Sequence, residues 1–190
     1  MSAYQGEKVD DWRDEQPGKI MHEIRFGELA NTKQIPFTPY YGTIDATPLF
    51  LILLAEYYHW TEDIQLVKDL LPHVRLALDW INQYGDRDHD CFVEYQEESS
   101  SGIANQGWKD SDDSIVHENG QYAQAPIALV EVQGYVYQAK TKLAPILRML
   151  GENHWADQLE KEAKQLKEKF DDAFWMEEEQ FYAIALDHEK

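Results

Sequence analysis

Residues 48–55 read Pro-Leu-Phe-Leu-Ile-Leu-Leu-Ala, with no polar position among them. Wound as a helix, this run has no polar face, and a helix that is apolar all round is buried all round. It is far shorter than the roughly 20 residues a membrane helix needs. Thr47-Pro48 suits a helix start, with Thr47 as a cap and Pro48 at the first helical position, where its missing N–H costs nothing. The chain must therefore supply other helices to cover this one, and it does. Ile64, Val67, Leu70, Leu71, Val74, Leu78, Ile81 and Tyr84 recur at helical spacing. Pro126 to Leu150 is mostly apolar. Trp155, Leu159, Ala163, Leu166, Phe170 and Phe174 form a single stripe, with Glu160 and Lys164 paired on the opposite face. The spacing predicts helices over 47–60, 63–84, 126–150 and 152–174. Pro72 and Pro145 mark a break or kink, and Gly85 and Gly151 mark ends. Cys91 to Gln96 reads as a short extended stretch, and 97–125 as a long polar loop. Residues 1–42, punctuated by Pro17-Gly18, Gly27, Pro36, Pro39 and Gly42, read as a loop-rich leading segment of the same domain. The expected class is all-α, one layer of helices inside another, with 1–190 as part of a single domain.

Charge excludes several partners. Acidic residues number 36 against 17 Lys and Arg, a net −19, which repels phosphate backbones and anionic membrane surfaces. Neither nucleic acid nor membrane is expected as a partner. The single cysteine, Cys91, cannot pair internally. The polar N-terminus shows no signal peptide, which reads as cytoplasmic. The seven His are scattered, and there is no HExxH, phosphate-binding glycine loop or nucleophile elbow. No cofactor is expected.

Three polar clusters interrupt apolar surroundings. In Tyr40-Tyr41-Gly42-Thr43-Ile44-Asp45-Ala46-Thr47, Asp45 stands at the start of the buried helix, where it either complements the helix dipole or faces a ligand. In Asn105 to Asp113, Trp108 and Asp110 lie in a polar loop. Either the loop is simply solvated, or the indole partly desolvates Asp110, which lets a carboxyl hold a proton for donation. A ring beside a carboxyl also suits a pyranose, whose apolar face stacks on the aromatic. In Glu131-Val132-Gln133, polar side chains enter an apolar helix, and Glu131, Tyr135 and Gln138 share a face. They form either a buried hydrogen-bond network or a ligand-facing one.

In order along the chain, Tyr41-Gly42-Thr43-Ile44-Asp45-Ala46-Thr47, Gly107-Trp108-Lys109-Asp110-Ser111, and Pro126 with Glu131-Val132-Gln133 and Val136-Tyr137 resemble the catalytic domain of the amylo-α-1,6-glucosidase (glycogen debranching) family. Pro17-Gly18-Lys19-Ile20 and His22-Glu23-Ile24-Arg25 resemble that family's preceding loop. The resemblance implies a partial (α/α)6 toroid of the six-hairpin glycosidase type and an inverting hydrolysis of α-glucosidic bonds in an α-glucan. It places the general acid on Asp110 and substrate binding on Tyr41, Asp45, Trp108, Glu131 and Gln133. Such a barrel needs twelve helices, and only four or five are legible here, so the remainder of the barrel or a second chain is expected as a partner. The 190 residues alone are expected to be inactive, because the family's base lies outside them. A non-catalytic helical module that binds carbohydrate or a protein is the alternative.

Two further patterns remain. Asp86, Asp88, Asp90 and Glu97 fall at positions 1, 3, 5 and 12 of an EF-hand-like calcium loop, although position 6 is Cys91 rather than Gly. The plain alternative is an Asp-rich turn. Asp110-x-Asp112-Asp113 is similar to aspartate-rich magnesium motifs, but Val116 stands where a third acidic residue belongs.

Overall fold

The computed structural model describes all residues, 1–190. Its frame is four long helices in two hairpins: α2 (Ala46–Thr61) with α3 (Ile64–Trp80), and α4 (Val130–Met149) with α5 (Asn153–Phe174). A one-turn helix, α1 (Glu28–Asn31), precedes them. α2 touches α3 and α4, and α4 touches α5, so the helices stand in the order α3, α2, α4, α5. The mainly helical class is as expected.

Local chemistry sets the hairpin corners. Glu62 takes a left-handed φ of 54° to end α2, and Asp63 caps α3 by accepting from the N–H groups of Gln65 and Leu66 at 3.1 and 3.2 Å. Gly151, at φ 85°, closes α4. There the Glu152 N–H reaches the Leu147 carbonyl and the Gly151 N–H the Arg148 carbonyl, as in a Schellman motif. α3 does not break at Pro72. Burial of Val67, Val74 and Leu78 contributes about 1.5–3 kcal/mol each, which outweighs the roughly 3 kcal/mol an interior proline costs. Beyond Trp80 the chain makes one wider turn, Ile81–Gly85.

Several expectations need correction. α2 is not buried all round: Phe50, Leu51, Leu54 and Ala55 enter the core, while Leu49 and Leu53 are exposed and Trp60 is 83% exposed. Thr47 lies inside the helix and does not cap it, because its hydroxyl accepts from the Ile20 N–H at 3.0 Å. α4 starts at Val130 rather than at 126. The preceding residues are drawn into pairing: Tyr95 bridges Ile127, and β1 (Ala128–Leu129) pairs with the distant β4 (Ala185–Leu186). The other small ribbon joins β2 (Trp175–Met176) to β3 (Phe181–Tyr182). Glu160 pairs with Arg148 of α4 rather than with Lys164.

Residues 1–42 are loop-rich as expected but firmly held. The Gly18 N–H donates to the Gly6 carbonyl and the Gly6 N–H to the Lys19 carbonyl, both at 2.8 Å, and the Trp80 indole donates to Gln16 at 2.8 Å. Gly18 has φ +87° and lies so close to the Leu76 carbonyl that a Cβ would overlap it. The buried Asp14 carboxylate accepts from the Tyr40 hydroxyl and the Glu98 N–H, both at 2.8 Å, and from the Ser99 N–H at 3.3 Å. The same Tyr40 oxygen accepts from the Ile103 N–H at 2.8 Å. Asp14 and Tyr40 thereby pin the leading segment to the start of the long polar loop.

Candidate functional site

The three sequence clusters meet at the start of α2 and α4. The Gln106 carbonyl accepts from the Ile44 N–H at 2.9 Å, which ties the polar loop to the residue before Asp45. The next residue, Gly107, packs against Leu129, and a Cβ there would overlap the Leu129 side chain. Leu129 in turn leads into α4, whose first turn carries Glu131. Asn105 braces the loop from behind, accepting from the Tyr95 hydroxyl at 2.7 Å and donating to the Ser111 carbonyl at 2.6 Å.

Asp45 holds the N-cap position of α2 without capping it, and accepts instead from the Thr43 hydroxyl. Asp45 and Glu131 are both half-buried. Tyr135 stands one turn beyond Glu131 on the same face of α4. Burial, then the Glu131 and Asp45 charges, push the Tyr135 hydroxyl above its ordinary range. Burial and then Glu131 do the same to Tyr95. Asp45 and Glu131 offer acceptors and Tyr135 a hydroxyl, groups of the kind that hydrogen-bond sugar hydroxyls. Tyr135 stood on the Glu131 face in the helical spacing but was not among the expected binding residues.

Trp108 and Asp110 lie at the open edge. Trp108 is 66% exposed, with the Lys109 ammonium 5.2 Å from its ring centroid. Asp110 is exposed, and no donor of the chain reaches its carboxylate. The desolvation expected of an Asp beside an indole is not supplied by these residues. Behind the loop, a polar cavity of about 230 Å³ is walled by Lys19, Trp80, Tyr95 and Gln106, among others. Asp45, Trp108, Asp110 and Glu131 are outside its walls.

Two expected binding residues belong to the fold instead. The Gln133 side chain is buried: its oxygen accepts from the Val93 N–H at 2.8 Å, and its nitrogen donates to the Val93 and Leu129 carbonyls. It serves the extended stretch as a neighbouring strand would, and has no group left for a sugar. Tyr41 is buried, and its hydroxyl donates to the Tyr4 carbonyl at 3.0 Å. Burial, followed by Glu15, pushes it up to about 12.

The family described as bacterial alpha-L-rhamnosidase 6 hairpin glycosidase domain matches residues 2–189. The chain belongs to this family. No curated protein matches it. The match agrees with the six-hairpin glycosidase class and with a glycosidase-type domain. It does not point to the amylo-α-1,6-glucosidase family within that class. The chain presents its polar loop at the N-terminal ends of α2 and α4, where helix dipoles favour anionic side chains such as Asp45 and Glu131.

The expected calcium set is also revised. Asp86, Asp88 and Asp90 bring ligand oxygens within 4.8 Å of one another, and Glu97 is not part of that group. Burial, then Asp14 and Asp112, push the Glu97 carboxyl up, so it belongs beside the polar loop. No helix is long and apolar enough to cross a membrane.

Proposed function

We propose that this chain forms one side of the sugar site of an inverting glycoside hydrolase, with Asp110 as the general acid. The observation that carries the reading is the junction of three separated segments through Ile44–Gln106 and Gly107–Leu129, which brings the segments bearing Asp45, Trp108 and Glu131 to the starts of α2 and α4. In this reading the ring face stacks on Trp108 and displaces Lys109. Asp45, Glu131 and Tyr135 bind hydroxyls. Asp110 gives its proton to the leaving oxygen, and a bound sugar excludes water from its carboxyl.

Inversion also needs a base about 6.5–9.5 Å from the acid across the ring. Asp45 and Glu131 are assigned to binding, so the base comes from further helices of the same domain or from a second chain. The bare face of α2, with Leu49, Leu53 and Trp60 exposed, supports this, since it leaves room for a helix to pack. The motifs favour an α-glucan substrate of the debranching type. The family match favours an α-L-rhamnoside as the second reading. The two sugars differ in the group on C5, hydroxymethyl in glucose and methyl in rhamnose, and in the configuration at C3, C4 and C5.

The test has two arms. Ligand-observed NMR with maltose, isomaltose and an aryl α-L-rhamnoside should show saccharide binding that Asp45→Ala and Trp108→Ala abolish. A preference for the rhamnoside would replace the α-glucan reading, and no binding of any sugar would sink both. Assays on the same sugars and on branched dextrin should show no turnover by the chain alone. Turnover at about 1 s⁻¹ or more, lost in Asp110→Asn, would place the second carboxylate within this chain and overturn the binding roles of Asp45 and Glu131.

A further inference from the structure

The connection between α3 and the bridge at Tyr95 carries a carboxylate cluster that the sugar site does not use. Its loop is wound by its own side chains. Asp86 Oδ2 accepts from the Cys91 N–H, Asp88 Oδ1 from the Asp90 N–H, and Asp90 Oδ1 from the Phe92 N–H, at 3.1, 3.2 and 2.8 Å. Each carboxylate therefore spends one oxygen on the backbone and keeps the other. An independent observation comes from Glu94, whose side chain is fully buried. Its Oε2 has no donor, and its Oε1 meets only the Lys190 ammonium. That same Nζ is 2.9 Å from Asp88 Oδ2 and 2.5 Å from Asp90 Oδ2. Oxygens of three carboxylates thus already surround one cation. Asp86 Oδ1 is buried with no donor at all. Lys169 does not relieve the shortage, because it donates to the Asp90 backbone carbonyl.

The Lys190 ammonium brings one charge and three protons to three carboxylates and does not reach Asp86. Ca²⁺ brings two charges and accepts 6–8 oxygen ligands at about 2.3–2.6 Å, close to the reach already set by Lys190. We propose that Asp86, Asp88, Asp90 and Glu94 form a calcium site in which the Lys190 ammonium holds the place of the ion. All the side-chain ligands are hard oxygens, which suits calcium over a transition metal. The crowding of carboxylates suits it over magnesium, which keeps several waters. The bound ion would fix the loop that leads from α3 to the Tyr95–Ile127 bridge.

Isothermal titration calorimetry of chelator-treated protein with CaCl₂ tests this, with MgCl₂ as the comparison. One calcium per chain is expected, at a Kd of about 10⁻⁶–10⁻⁴ M, with a Tm that rises with calcium concentration. Lys190→Ala removes the competing ammonium and should tighten binding about tenfold, and Asp88→Asn, at an exposed position, should weaken it by about as much. Binding seen only in Lys190→Ala also supports the site, with the ammonium the stronger occupant. No calcium binding in either protein, or binding that Asp88→Asn leaves unchanged, overturns the proposal.

Discussion

Asp14 and Asp110 sit in similar acidic, turn-rich sequence, yet the fold treats them in opposite ways. Asp14 is 4% exposed, and both of its oxygens are used, by Tyr40, Glu98 and Ser99. Asp110 is exposed and receives no hydrogen bond from the chain. A buried carboxylate must be fully satisfied, because an unpaired one costs several kcal/mol. A carboxylate at the rim has no such requirement, so it can be kept for a ligand. Satisfaction by the chain's own donors therefore separates the residues that build this domain from those left over for chemistry.

The sharpest way to break the comparison is at Asp14. Asp14→Ala removes the acceptor shared by Tyr40 and two backbone N–H groups, and it deprives the buried Lys19 of the nearest negative charge. Losing one partner of a buried charged network costs about 3–5 kcal/mol. For a chain of this size each kcal/mol shifts Tm by roughly 2–4 °C, so a fall of about 6–20 °C is expected by calorimetry. A fall under about 2 °C would show that Asp14 is not the pin described here.

Lys19 and the buried tyrosines give the same network a pH signature. Burial is the main cause that depresses Lys19 from an ordinary value near 10.5 to about 8; Asp14 and Glu98 oppose the shift and Arg87 adds to it. Between these values the unfolded chain holds a proton that the folded chain has lost, so stability rises with pH over this window, by up to about 3 kcal/mol at 1.36 kcal/mol per unit. The tyrosines act with the opposite sign. Burial raises Tyr40, Tyr41 and Tyr95, so above pH 10 the unfolded chain loses protons first and stability falls. Urea unfolding from pH 7 to 11 should therefore show a maximum near pH 9–10. Lys19→Met should flatten the rise below pH 10 and leave the fall above it. A rise that survives in Lys19→Met must come from another group.

Gly18→Ala probes the leading segment without touching charge. The residue has φ +87°, and a Cβ would overlap the rigid Leu76 carbonyl rather than a movable side chain. Strain at such a position costs roughly 1–3 kcal/mol, so a Tm decrease of several degrees is expected. Gly107→Ala should cost less, because the obstacle there is the end of the Leu129 side chain, which can rotate.

How far these roles were legible in the sequence depends on the range of the interaction that sets them. The helices were, because the stripe from Trp155 to Phe174 and the one from Ile64 to Ile81 are local and periodic. Corner chemistry at Gly151 was legible for the same reason. The start of α4 was not, since residues 128–129 pair with 185–186, and no local signal reveals a partner so distant. Nor was the fate of Gln133. A glutamine in an apolar helix can serve a ligand or the backbone, and its choice of Val93 follows only from packing. The apolar run of α2 reads locally as buried all round, but Leu49 and Leu53 are exposed, because no helix of these residues packs on that face. Asp45 and Glu131 stood out in the sequence as polar residues beside apolar helices. Tyr135 emerged as their shared neighbour only in three dimensions.

The smallest effect on stability is expected at Trp108 and Asp110, and that smallness is what the comparison demands. Trp108 is 66% exposed, so removing it uncovers little, and Asp110 holds no hydrogen bond to lose. Exposed substitutions of this kind usually fall within ±0.5 kcal/mol, which for this chain is a Tm change of roughly 2 °C or less. Saccharide binding should respond quite differently. Loss of the stacking face in Trp108→Ala should abolish it, while Asp110→Asn keeps the shape and removes only the acid, and so should leave binding within a fewfold of the parent. Calorimetry and ligand-observed NMR on the same two variants separate the outcomes. If Trp108→Ala or Asp110→Asn unfolds as readily as Asp14→Ala, both residues are part of the scaffold, and the rim is not a site held in reserve for a sugar.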